Sequence, residues 1–201
     1  MKKLIFTSYG LTTAVGRKLI KAEIKKDGDL ENKRIFLFHE PHYSIENMLV
    51  EACLRMGFKK ENIVLSGQQK SNDELLTMDY IYVTEGNTFE IMALLRERGL
   101  DSVIQEAFRR GSAYIGASAG AMIAGVSIEE ALSFDLNFAQ MNDFAGLCLF
   151  DGVIIPHYTK EELKRYIKNS PGIEEKYKNI YSVADDKSLV LEEERKCSQI
   201  L

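Results

Sequence analysis

Short apolar runs and longer amphipathic stretches take turns along the chain. Residues 4–7, 34–38, 62–65, 79–83 and 113–117 are runs dominated by Ile, Leu, Val, Phe, Tyr and Ala. Runs that are apolar throughout, rather than alternating, are the pattern of strands covered on both faces. Between them, residues 13–26 repeat Val15, Leu19, Ile20 and Ile24 at helical spacing. Residues 45–56 are amphipathic and stop at Gly57, residues 88–98 stop at Gly99, and residues 102–109 read as another helix. A further helix is expected to begin at Ser118 or Ala119. Strands separated by helices imply βαβ units, hence an α/β fold with a mostly parallel sheet. Beyond Gly125 the pattern is less regular. Residues 153–155 read as a strand, 160–168 as a helix, and 180–184 with 189–191 as two late strands forming a hairpin. Neither a repeat nor a linker-like stretch interrupts the chain, so a single catalytic α/β domain over residues 1–201 is expected.

Composition narrows the class. Charged residues make up 28% of the chain and apolar residues 45%, as in ordinary globular proteins. The net charge of −4 gives no footing for nucleic acid or an anionic membrane as partner. Cys53, Cys148 and Cys197 are odd in number and far apart, which argues against a disulfide framework or a zinc site and suits a reducing cytoplasm. The first apolar run is too short for a signal peptide, and no stretch reaches the roughly 18–20 apolar residues of a membrane span. The acidic run Glu192–Glu194 reads as a solvated tail.

The chemistry concentrates at strand ends. Tyr114-Ile115-Gly116-Ala117-Ser118-Ala119-Gly120-Ala121-Met122 fits G-x-S-x-G with an apolar strand before it and a small-residue helix after it. A serine on such a tight turn projects its Oγ from the carboxyl edge of the sheet. The flanking glycines remove side chains where strand and helix nearly touch. The Ala119 N–H then faces a developing oxyanion. The bland reading is a plain βα turn, or one that binds phosphate. A second turn, Val83-Thr84-Glu85-Gly86-Asn87-Thr88-Phe89, opens a helix at the same edge, and its Gly86 N–H is a candidate second donor. Asn87 or Thr88 is equally a plain helix cap.

Of the three histidines, His157 follows the strand ending in Ile155-Pro156, at the sheet edge where ligands bind in open α/β folds. His39 and His42 flank Pro41 after the second strand and precede the serine. Candidate carboxylates after the serine are Asp135, Asp143, Asp151, Asp185 and Asp186. The Asp185-Asp186 pair lies between two late strands, within reach of a histidine on a neighbouring loop, though one of the two could be a turn former.

Taken together, Tyr82 to Phe89, Leu95-Arg96-Glu97-Arg98-Gly99-Leu100, Gly116 to Ala121 and Ile155-Pro156-His157-Tyr158 resemble the peptidase E (aspartyl dipeptidase) and cyanophycinase family of serine hydrolases. The resemblance implies a three-layer α/β sandwich of the class I glutamine amidotransferase-like, flavodoxin-like kind. It implies Ser118 as nucleophile, His157 as base, the Gly86 and Ala119 amides as oxyanion hole, and neither metal nor organic cofactor. The family acid is a glutamate before a late apolar strand. Matching Asp186-Lys187-Ser188-Leu189 to that pattern puts Asp186 in its place, with Asp185 beside it, while another assignment in the family points to Asp135. Glu85, Asn87 and Lys160 are expected around the substrate pocket. The implied substrate is a dipeptide or short peptide, with Asp-X dipeptides among the candidates, for a monomer or homodimer. Esterase or amidase action, or a degenerate binding protein on the same fold, are the competing readings. Three departures stand out. Thr84-Glu85 replaces glycines and adds a charge by the pocket mouth, the acid is an aspartate, and residues 159–165 do not match the family's arginine-bearing specificity loop.

Overall fold

The computed structural model describes residues 2–40 and 44–193. Among them, strands β1 (Lys2–Thr7), β2 (Ile35–Phe38), β3 (Ile63–Leu65), β4 (Tyr80–Val83), β5 (Ala113–Ala117), β6 (Val153–Pro156), β7 (Ile180–Val183) and β8 (Ser188–Glu193) are joined by seven helices. These are α1 (Ala14–Ile24), α2 (Glu46–Met56), α3 (Thr88–Glu97), α4 (Leu100–Arg110), α5 (Ala119–Met122), α6 (Lys160–Asn169) and α7 (Ile173–Lys176). Six strands form one sheet in the order β3-β2-β4-β5-β1-β8, parallel except for β8, which runs antiparallel to β1. β6 and β7 form a separate parallel pair.

The pleat explains why the inner strands β2, β4 and β5 are apolar throughout. Leu4, Phe6, Phe36, Phe38, Ile81, Val83 and Tyr114 point to one face and pack with residues of α3, α4 and α5. Ile5, Ile35, Leu37, Tyr80, Tyr82, Ile115 and Ala117 point to the other and pack with Ile20 and Ile24 of α1 and Leu49, Cys53 and Met56 of α2. With period-two side chains, a sheet covered by helices on both faces keeps its inner strands β2, β4 and β5 free of charged residues. The Cys53 thiol lies in this second layer, and burial pushes its pKa up to about 12, so it stays protonated and inert.

Local chemistry sets the helix ends. Thr13 accepts from Gly16 N at the start of α1, and Asn87 Oδ1 accepts from Phe89 N and Glu90 N at the start of α3. Thr159 and Glu162 form a reciprocal capping box on α6. At the other end of α2, Gly57 takes the left-handed conformation at φ 118°.

Two expectations are corrected, while the helix expected to begin at Ser118 or Ala119 does begin at Ala119. The late strands do not form a hairpin: β7 pairs with β6, and β8 crosses to the open edge of β1, whose ladder offers more partners. The helix after Ser118 is a single turn. Glu192 and Glu193 are strand rather than tail, in register with Lys3 and Lys2 of β1. Glu194, Cys197, Pro41 and His42 lie outside the described residues. Among the described residues, no helix is long and apolar enough to cross a membrane.

Candidate active site

Ser118 sits where the fully buried strand β5 turns into α5, with φ 48° and ψ −109°. A non-glycine residue at positive φ is strained by about 1–3 kcal/mol, so the surroundings must over-determine it. They do. A Cβ on Gly116 would overlap the Gly120 carbonyl, and a Cβ on Gly120 would overlap the carbonyl of Val83 on β4. The Ser118 N–H donates to Thr7 O at 2.9 Å, and the Ser118 carbonyl accepts from Ala121 N at 2.8 Å. Beneath the turn, the buried Tyr114 hydroxyl donates to Gly120 O at 2.7 Å. Backbone contacts on three sides hold the serine.

The partner arrives from the other sheet. β6 ends at Pro156 and His157 follows at φ 62°, its Nε2 3.0 Å from Ser118 Oγ. Its Nδ1 lies 2.7 Å from Asp185 Oδ1. A hydrogen on Nδ1 donated to the carboxylate leaves the Nε2 lone pair facing the serine hydroxyl, the tautomer a general base requires. The Asp185 side chain is 52% exposed, so it orients the ring in partly screened surroundings rather than in a dry cavity.

The carboxylate against the imidazole is therefore Asp185 and not Asp186. The Asp186 side chain is exposed and turns toward Lys187 Nζ at 3.6 Å. Asp185 and Asp186 lie in the turn that Lys187 N closes on Ala184 O at 3.0 Å, and of the two only Asp185 is within hydrogen-bond reach of the histidine. Asp135 lies elsewhere: its Oδ2 accepts from Thr88 N at 2.9 Å and from Thr88 Oγ1 at 2.6 Å, at the start of α3.

The turn carrying Gly86 is packed from both sides. A Cβ on Gly86 would strike Glu40 Oε1, and the same oxygen accepts from Asn87 N at 3.1 Å. Only glycine allows this approach. Glu85 does not face a pocket mouth. Its carboxylate turns inward and accepts from Thr12 Oγ1, from Tyr82 OH at 3.2 Å and from Thr84 Oγ1 at 3.1 Å. Three hydroxyls satisfy the charge, and the phenol of buried Tyr82 is held protonated by desolvation and the nearby Glu85 charge. Asn87 is likewise structural, capping α3 through its oxygen while its amide donates to Leu136 O at 2.9 Å. Lys160 opens α6, exposed, on the wall of a cavity of about 500 Å³ that Tyr158, Ser182, Asp186 and Lys187 also line. His39 is buried, its Nδ1 3.0 Å from Glu40 O, and takes no part in the serine–histidine contact. Among the described residues no three His, Cys, Asp or Glu side chains converge as metal ligands.

Two residues that the motifs did not single out touch this constellation. Ser8, 1% exposed, donates from Oγ to Val183 O at 2.6 Å and accepts from His157 N at 2.9 Å. Tyr9 sets its ring edge-on to the imidazole, with centroids 5.3 Å apart, and its hydroxyl lies 3.4 Å from Asp185 Oδ2. Both follow β1 at the carboxyl edge of the sheet. The strand-end rule that selected His157 would have selected them too, had it been applied to the first strand.

Comparison with known proteins agrees with this architecture. The chain is 42% identical over 89 residues to an uncharacterized peptidase of Pasteurella multocida, covering 43% of each chain. It is 30% identical over 118 residues to an uncharacterized peptidase of Listeria innocua, covering 58% of this chain and 56% of that one. It is 41% identical over 81 residues to peptidase E of Salmonella arizonae, covering 40% and 34%. The matched stretches thus span from about a third to just over half of these relatives' own length. In fold, the chain is similar to a crystal structure of a candidate peptidase E protein from Listeria monocytogenes, with TM-score 0.69 and 24% identity over 95% of this chain and 94% of that one. A peptidase from an acI-B1 actinobacterium gives TM-score 0.61 at 19% identity, over 95% and 83%. Residues 31–198, which include β2 to β8 and every member of the constellation except the end of β1, match the profile of one family, and the chain belongs to peptidase family S51.

Proposed function

We propose that this protein is a serine-type peptidase acting on dipeptides or short peptides through an acyl-enzyme. The observation that carries the reading is the line-up of Ser118 Oγ, His157 Nε2 at 3.0 Å and, across the ring, Asp185 Oδ1 at 2.7 Å, on a strained strand-to-helix turn. His157 takes the hydroxyl proton as Oγ bonds to the peptide carbonyl carbon. The negative charge that forms on the carbonyl oxygen is received by the Gly86 and Ala119 amides. His157 then passes its proton to the departing amine, the C–N bond breaks, and a serine ester remains. Water attacks that ester with His157 again as base, which frees the acid product and restores the serine. Asp185 keeps the imidazole in the required tautomer and steadies the imidazolium. The layered sheet supports the class I glutamine amidotransferase-like reading of the fold.

The inward turn of Glu85 favours a working site over a degenerate one. The charge that would have opposed an oxyanion at the mouth is bound by three hydroxyls instead. Asp185, although an aspartate, reaches His157 at full hydrogen-bond distance. Ser118→Ala is expected to lower turnover of a small peptide panel, Asp-X dipeptides included, by about 10⁴- to 10⁶-fold. Undiminished turnover in that variant would remove the proposal. Turnover of esters with no measurable turnover of any peptide would move it to the esterase reading.

A further inference from the structure

The serine and the histidine stand on different sheets. Ser118 follows the end of β5 of the six-stranded sheet, whereas His157 follows the end of β6, whose ladder partner is β7. No strand ladder among the described residues sets the distance between the two, and an Oγ–Nε2 contact of 3.0 Å tolerates little error. The end of β1 supplies what the ladders lack. Thr7 O accepts from the Ser118 N–H at 2.9 Å, which fixes the elbow to β1. One residue on, Ser8 Oγ accepts from the His157 N–H at 2.9 Å and donates to Val183 O, the last residue of β7, at 2.6 Å. Consecutive residues of one strand end thus hold the nucleophile and the base. The Ser8 hydroxyl is 1% exposed and uses both its donor and an acceptor on backbone groups of the smaller sheet. The same bond steadies the His157 backbone, whose φ of 62° is uncommon for a non-glycine residue.

We infer that Ser8 is a positioning residue for catalysis: its hydroxyl sets the register between the two sheets at their catalytic edge and so the Ser118–His157 distance. The inference rests on the serine peptidase reading above. Ser8 touches no reacting atom and acts only through the backbone of His157 and Val183. Removing the hydroxyl leaves the half-buried His157 N–H and the buried Val183 carbonyl without this partner, and the histidine loop then drifts from the elbow. Misplacement of a reacting group by about 1 Å costs on the order of 10²-fold in rate. The loss belongs in kcat, since the substrate-binding surface is not touched.

The test compares Ser8→Ala with Ser8→Thr, which keeps the hydroxyl, and with Ser8→Cys, which keeps the size but offers only a weak donor. Each is measured as kcat and KM on the best peptide of the panel, per serine titrated with a fluorophosphonate, below the Tm of the variant. The expected result is a kcat for Ser8→Ala lowered by about 10- to 100-fold with KM within about 2-fold. Ser8→Cys should fall between it and the wild type, with recovery in Ser8→Thr. The second-order rate of fluorophosphonate labelling should fall by the same factor as kcat. Wild-type kcat per titrated serine in Ser8→Ala, with or without a lowered Tm, would overturn the inference, since the hydroxyl would then serve folding alone. Equal loss in Ser8→Thr and Ser8→Ala would overturn it as well. Should Ser118→Ala retain activity, the peptidase reading fails first, and that outcome is distinguishable because it appears without any change at Ser8.

Discussion

The two halves of the site are built by opposite means. On the serine side, a five-residue strand buried at every position, two glycines without room for a Cβ and a ring of backbone contacts leave Ser118 a single place to be. On the histidine side, a two-stranded sheet ends in residues that are open to water, His157 at 39% and Asp185 at 52% of the side chain, and side-chain hydrogen bonds hold them. Dense packing gives position through sterics, which are steep and local. Hydrogen bonds give position through a few directional contacts, each replaceable and each worth only about 0.5–1.5 kcal/mol net. Damage to the first half should therefore register as stability, and damage to the second as rate.

The sharpest way to break that contrast is at the acid. Asp185→Asn is expected to lower kcat/KM by about 10²- to 10⁴-fold, because an amide can donate to Nδ1 and stabilise the wrong tautomer, while the melting temperature barely changes. Asp186→Asn, on a side chain that faces Lys187, should stay within about 2-fold of the wild type. Steady-state kinetics on the two variants decide it, and equal effects would mean the wrong carboxylate has been assigned to the imidazole. On the other half, Gly120→Ala should destabilise the fold by about 1–3 kcal/mol or more, since its methyl group meets the Val83 backbone, which cannot move without dragging β4. Denaturant unfolding measures this, and a stable variant would show the elbow to be less tightly packed than described.

The smallest effect lies on α6, which follows His157. Two hydrogen bonds from Thr159 hold the Glu162 carboxyl below its ordinary pKa of 4.5. A depressed carboxylate contributes stability that is present in full above 4.5 and is lost as pH falls through the folded value. The start of α6 should therefore loosen in acid below that point, seen as lower amide protection factors at residues 160–163, and Glu162→Gln should flatten the dependence. Loosening of the elbow over the same range would count against the division between the two halves.

The same division explains what was readable from the chain. The elbow is local in sequence, so its strand, its glycines and its serine appear together within a few residues, and the inner sheet strands declare themselves by being apolar throughout. His157 was legible for a related reason, as the residue that leaves an apolar strand. The acid was not. Asp185 and Asp186 are neighbours, and the turn geometry at Ala184 decides which one faces the ring, which a motif match off by one residue cannot supply. Ser8 was further out of reach, because its partners are 149 and 175 positions away. Glu85 looked like a charge at an open mouth because one of the hydroxyls that bind it, on Thr12, is 73 positions away and becomes its neighbour only once β1 and β4 lie in one sheet. The hairpin expected at the end of the chain failed because adjacency in sequence lost to the long free edge of β1.

The φ of 48° at Ser118 has a bearing on how this chain changes over time. Glycine would rest there without strain and would leave the turn, its carbonyls and its packing as they are. A lineage released from the need for a nucleophile would find that replacement beneficial to folding and open by a short mutational path. A serine at this φ thus gives up folding stability for the hydroxyl that the proposed chemistry uses.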